Sequence, residues 1–193
     1  MRHNGERNNL ETLAPAVPDA IDRLAGEFLR QTCEAGLRLA TAESCTGGLL
    51  ASTLTDVKGC SHAFDRGFVV YTDEAKHDLL GVPAQLIKMH SAVSEPVARA
   101  MAEGGLANSR ADLCLAITGY ADDADGQCPA GLVHFALASR RDDTRHLRAE
   151  FGDLGRGMVR VECLRSALAM IAEFTAEQPT SRSNPPRRVK ARG

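Results

Sequence analysis

From residue 19 onward the apolar positions switch between two periods. Ile21, Leu24, Ala25, Phe28 and Leu29 recur at helical spacing, which predicts an amphipathic helix over 19–35, stopped by Gly36. Leu37 to Ala42 reads as a short strand, Ser44 to Gly48 as a turn, and Leu49 to Thr55 as a helix. The apolar run Phe68-Val69-Val70-Tyr71 predicts a buried strand. Asp73 stands where it can cap the next helix, which Gly81-Val82-Pro83 breaks near Leu80. A short helix over 83–89 follows, then a long one from Ser94-Glu95-Pro96 to about Asn108, with Ser94 as cap and the proline tolerated in the first turn. Asp112 to Thr118 predicts a buried strand, and 119–130 an Asp- and Gly-rich loop. Leu132–Ser139 and Thr144–Phe151 predict a hairpin about the polar turn 140–143. A last helix over 157–174 sets Val161, Leu164, Leu168 and Ile171 on one face.

Strands alternating with helices and closing on a hairpin imply an α/β fold. The expected architecture is a single-domain, three-layer α/β/α sandwich around a mixed, mostly parallel sheet. Ligands of such sheets bind beyond the carboxyl ends of the strands. That rule selects three segments here: Glu43–Gly48, Tyr71–Lys76 and Thr118–Gly131.

Composition narrows the class without naming a function. The chain has 193 residues, 44% hydrophobic and 25% charged, as in an ordinary globular domain. Residues 19–175 carry the pattern, while 1–18 and 176–193 are polar and read as disordered tails. A domain of this size buries roughly 70% of its unfolded surface, so it needs no covalent staples. No apolar run approaches the ~20 residues of a membrane span, and no apolar region follows Met1 to Arg7. A cytoplasmic, membrane-free protein is expected. The net charge of −2 conceals an asymmetry: Arg182, Arg187, Arg188, Lys190 and Arg192 face only Glu177 in the C-terminal tail, so the remainder is acidic. A solubilising end is the simpler reading of that tail. With no Trp and only Tyr71 and Tyr120, a base-stacking surface for nucleic acid is not expected. Six cysteines (33, 45, 60, 114, 128, 163) and six histidines (3, 62, 77, 90, 134, 146) show no C-x-x-C pair and no ligand spacing. They therefore predict neither disulfides nor a metal site.

Each selected segment carries candidate chemistry beside a plainer alternative. Glu43-Ser44-Cys45-Thr46-Gly47-Gly48 joins a strand to a helix, where free N–H groups favour a phosphate or a developing oxyanion and Ser44 can be a nucleophile. The alternative is that Ser44 or Thr46 merely caps the helix. A serine needs a base, and Lys76 serves only if its pKa falls, as burial and a helix N-terminus favour and Asp73 and Glu74 oppose. Tyr71 can relay the proton or orient the amine; the alternative is an exposed lysine and a core tyrosine. Asp122, Asp123 and Asp125 suggest a cation, but their spacing is not that of a calcium loop, and a solvated turn reads better. Arg156 and Arg160, four apart, can clamp a phosphate from one helix face or be plain surface residues.

Taken together, TAESCTGG (41–48), YTDEAK (71–76), HSAVSEPVARAMAEG (90–104) and ADLCLAITG (111–119) resemble the C-terminal domain of the competence/damage-inducible protein CinA. The resemblance covers roughly residues 22–175. It implies an amidohydrolase that converts nicotinamide mononucleotide to nicotinate mononucleotide and ammonia, with a Ser/Tyr/Lys site and neither metal nor cofactor. By motif the catalytic residues are Ser44, Tyr71 and Lys76. The substrate-binding set is Glu43, Cys45, Thr46, Gly47, Gly48, Thr118, Gly119, Arg156 and Arg160. A small nucleotide substrate and a homodimer or larger homo-oligomer are implied as partners. The chain departs from the family pattern after Thr118-Gly119. There Tyr120-Ala121-Asp122-Asp123 replaces Ile-Ala-Gly-Pro, and Cys128-Pro129-Ala130-Gly131 replaces Lys-Pro-Val-Gly. Two residues are also inserted before Arg156. A lost lysine and added aspartates weaken an anion site, so a paralogue that binds a nucleotide without turnover, or hydrolyses another amide, is the alternative. Cys45 is the rival nucleophile.

Overall fold

The structure, a computed structural model, describes residues 18–122 and 128–177. Helix α1 (Asp19–Glu34) leads into β1 (Leu39–Glu43), α2 (Leu49–Thr55), a 3₁₀ turn at Ser61–Ala63 and β2 (Phe64–Val69). Next come α3 (Asp73–Leu80), α4 (Ala84–His90), α5 (Glu95–Ala107), β3 (Leu113–Gly119), the hairpin β4 (Leu132–Ser139) and β5 (Arg145–Glu150), and α6 (Arg156–Glu177). The five strands form one sheet in the order β2-β1-β3-β4-β5. β1 pairs parallel with β2 and β3, while β4 pairs antiparallel with β3 and β5. The sheet is mixed as expected. Its four pairings divide evenly between parallel and antiparallel.

The two faces of the sheet are built from different side chains. One presents Leu39, Leu113, Leu115, Ile117, Phe135 and Leu137 to α1, α2 and α6, which fill the larger core. The other presents Ala40, Ala42, Cys114, Ala116, Ala136 and Ala138 to Val97, Ala98, Met101 and Ala102 of α5. Small side chains on this second face let α5 lie close; Gly105 marks that contact, and Gly104 the one with the end of α3. A Cβ on Gly105 would stand 2.5 Å from Cys114 Sγ, and one on Gly104 only 1.9 Å from the carbonyl oxygen of Leu80. Arg140, after β4, locks the lower end of this layer. Its guanidinium donates to the carbonyls of Ala111 (2.7 Å), Leu106 (3.0 Å) and Ser109 (3.1 Å).

Three local expectations are corrected. The strand expected at 68–71 lies earlier, at Phe64–Val69, on the sheet edge. The apolar run alternates instead of being buried throughout: Phe68 and Val70 pack against the α5 layer, whereas Val69 is 51% and Tyr71 63% exposed. Thr72, not Asp73, caps α3, its hydroxyl accepting from the Ala75 N–H at 3.1 Å. Ser94 occupies the N-cap of α5 without capping it; its hydroxyl donates to the Ser91 carbonyl at 2.9 Å. The expected tails lie outside the described residues, except that Pro18 precedes α1 and Ala176 and Glu177 complete α6. Asp123 and Asp125 also lie outside them. Among the described residues no helix is long and apolar enough to cross a membrane, and no group of three His, Cys, Asp or Glu converges on a metal position.

Candidate active site

The carboxyl ends of β1 and β3 bring the three selected segments together. The Ser44 N–H donates to the Ile117 carbonyl (3.0 Å), and the Glu43 carbonyl accepts from Val70 N–H (2.8 Å). Chain segments leaving β1, β2 and β3 therefore enclose one cavity of about 250 Å³. Its walls include Ser44, Cys45, Tyr71, Lys76, Thr118, Gly119 and Arg156 of the expected set. Ala92, Val93, Tyr120, Ala121 and Asp122 complete them.

Lys76 is the strongest feature of the cavity. It is only 1% exposed, a rare condition for a lysine without a carboxylate holding it. Its Nζ donates to the main-chain carbonyls of Tyr71 (3.1 Å) and Thr72 (3.4 Å). Burial pushes its pKa below the ordinary lysine value, against the pull of Asp73, Cys45 and Glu74. Ser44, 7% exposed, shares the cavity. Tyr71 touches Lys76 through its carbonyl, and its ring is mostly in solvent. The expectation of a tyrosine ending a buried strand is thus corrected. Tyr71 shares the cavity wall with Arg156 instead.

The turn after β1 works differently from the anion cradle expected of it. Glu43 is fully buried, and its own carboxyl group fills the start of α2. Its carboxylate accepts from Leu50 N–H (3.0 Å), Ala51 N–H (2.8 Å) and the Thr46 hydroxyl (2.7 Å). Gly47 N–H is spent on the Ser44 carbonyl (3.1 Å) and Leu49 N–H on that of Thr46 (3.2 Å). Glu43, Thr46, Gly47 and Gly48 accordingly stand behind the cavity wall, where they shape the turn. Gly47 (φ 63°) and Gly48 (φ 91°) both need left-handed backbone there.

The two arginines do not form one clamp. Arg160 lies outside the cavity walls, its Nε donating to the Cys45 carbonyl at 2.9 Å. Arg156 holds Asp122 with two parallel bonds, Nε to Oδ2 at 2.8 Å and Nη2 to Oδ1 at 2.7 Å. Hydrogen bonding to Tyr71 and to Asp122 raises its pKa. Cys45 packs in the larger core with Cys163. Pairing with Cys45, together with burial, pushes the Cys163 thiol up. Thr118 is a tether, its hydroxyl donating to the Ala92 carbonyl at 2.8 Å. That bond draws residues 91–93 over the cavity. Ser91 turns them there at φ 69° and ψ 154°, a conformation costly for any residue but glycine. No periodicity marks these residues as a wall; in the sequence they belong only to the HSAVSEPVARAMAEG stretch that carries the family resemblance.

Comparison with known proteins agrees with this architecture. The model of the CinA C-terminal domain matches residues 21–175. The chain belongs to that family. A CinA-like protein of Syntrophus aciditrophicus is 44% identical over 158 residues, covering 80% of this chain and 37% of its own length. One of Syntrophobacter fumaroxidans is 45% identical over 126 residues, covering 64% of this chain and 29% of its own length. The chain thus spans less than two fifths of these curated CinA relatives. The crystal structure of competence/damage inducible protein CihA from Agrobacterium tumefaciens superposes with a TM-score of 0.78 at 41% identity, covering 82% of this chain and 97% of that one. The competence damage-inducible protein A (ComA) from Klebsiella pneumoniae gives 0.77 at 37% identity, covering 82% and 99%.

Proposed function

We propose that this chain is a serine amidohydrolase that releases ammonia from the carboxamide of a nicotinamide compound, the family resemblance pointing to nicotinamide mononucleotide as the first compound to test. The buried Lys76, lining the same cavity as Ser44, carries the reading. Ser44 Oγ attacks the amide carbon and its proton passes to neutral Lys76 Nζ, which then protonates the leaving nitrogen. Ammonia departs, and water, deprotonated by the same amine, hydrolyses the ester to acid and free serine. Main-chain carbonyls around Nζ can hold the ammonium but do not neutralise it, which keeps the amine available as a base. The N–H of Cys45, the residue after the nucleophile, is the candidate oxyanion donor. Tyr71 acts chiefly by holding the lysine through its carbonyl. Ser44 takes the nucleophile's role on the family motif; Cys45, which lines the same cavity and whose thiol pKa is lowered by hydrogen bonding with Cys163, is the rival that the variants below distinguish. Homo-oligomerisation and a cytoplasmic setting belong to the same proposal, and sedimentation of the purified chain tests the former.

The test is ammonia release from nicotinamide mononucleotide by purified protein. Ser44→Ala is expected to lower kcat by about 10³-fold or more, while Cys45→Ala retains turnover. Full activity in Ser44→Ala would remove the assignment.

A further inference from the structure

Arg156 offers the planar fork that grips two oxygens of a phosphate. In this chain that fork is already filled by Asp122, with both bonds short and parallel. Both side chains belong to the wall of the cavity that holds Ser44 and Lys76. Among the described residues, two further cations at the cavity are committed elsewhere: Lys76 Nζ faces two carbonyls, and Arg160 braces the Cys45 carbonyl from outside the wall. The pair is also half in solvent, 45% exposed at Arg156 and 33% at Asp122, so it adds little to folding. Its placement matters more for what enters the cavity. An arriving phosphate must break two charge-assisted bonds and then sit beside the carboxylate it displaced, like charge against like. An uncharged group meets neither obstacle.

We propose that the Asp122–Arg156 pair is a charge filter, which makes this cavity favour a carboxamide substrate without a phosphate group over the same compound carrying one. The carboxamide half of this inference rests on the proposed function; the phosphate half rests on the pair alone. Two measurements test it separately. In the first, inorganic phosphate is titrated calorimetrically at constant ionic strength. Asp122→Asn keeps the shape and removes the charge, and should bind phosphate at least tenfold more tightly than the wild type. Asp122→Asn/Arg156→Gln should lose that gain. Equal phosphate affinity in wild type and Asp122→Asn overturns the filter. In the second, nicotinamide riboside and nicotinamide mononucleotide are compared as ligands of Ser44→Ala and as substrates of the active chain. The unsubstituted wall should favour the riboside, and Asp122→Asn should move the ratio at least tenfold towards the nucleotide. A preference for the nucleotide that Asp122→Asn leaves unmoved also overturns the proposal. Ammonia from neither compound, with the phosphate result as expected, would remove the amidohydrolase reading and leave the filter supported.

Discussion

At the scale of single residues, the site depends on which atoms face which. Lys76 is held by the backbone of Tyr71 and Thr72, and any side chain at 71 supplies the same carbonyl. Tyr71→Phe should therefore keep kcat within about tenfold of wild type, whereas Lys76→Met should lose at least about 10²-fold, the usual worth of a general base; steady-state ammonia release checks both. Lys76 also makes a stability prediction. Its folded pKa lies below its unfolded value of 10.5, because burial disfavours the charge. Below the folded pKa the amine is charged in both states, and the native chain bears the full cost of burying it. Between the folded pKa and 10.5 the unfolded chain binds more protons, so wild-type stability rises with pH. Lys76→Met should then be more stable by about 0.5–2 kcal/mol at pH values below the folded pKa. That advantage should shrink as pH rises through the folded pKa. Urea titrations across pH read it directly, and a constant difference would count against a buried, weakened base.

At the scale of elements, the turn between β1 and α2 shows how a glycine-rich motif can be misread. The hydroxyls and glycines of 44–48 signal a ligand cradle, yet the helix start they lead into is filled by Glu43 from the preceding strand. Glu43→Gln keeps the shape and supplies one acceptor where the carboxylate supplies two. It should cost about 1–3 kcal/mol, as for a buried charged hydrogen-bond partner lost, read as a shift of the urea midpoint. The α5 contact is equally specific. Gly105→Ala places a methyl 2.5 Å from Cys114 Sγ and should cost about 1–3 kcal/mol, with part of it recovered in Gly105→Ala/Cys114→Ala. Gly104→Ala meets backbone at Leu80, which cannot be trimmed, so no such rescue is expected. Periodicity located α5 and α6 to within a few residues, because each turns an apolar stripe to the sheet. It misplaced β2, because an edge strand buries only alternate residues and the apolar run 68–71 straddles its end.

At the scale of the whole molecule, the cavity exists because β1 and β3 are neighbours and both carry loops at the same end. Arg140 ties the opposite end, where three carbonyls depend on one guanidinium. Arg140→Met should destabilise the domain by about 1–3 kcal/mol without touching the cavity. A lowered melting temperature with unchanged kcat, after correction for the folded fraction, is the expected pair of results. The order of residue types along the chain was enough to determine the alternation of helix and strand, the α/β class, and the three segments that meet at the strand ends. Those follow from local period and from the chain direction of parallel strands. It also placed Ser44, Tyr71 and Lys76 in one motif-defined group. Which atoms of that group meet was decided only by tertiary packing. The sheet register buries Glu43 under α2, turns the Tyr71 ring outward, sends Arg160 to a carbonyl and joins Arg156 to Asp122, 34 residues away. Side-chain partners at such separations depend on where whole elements come to rest, and no spacing along the chain encodes that distance.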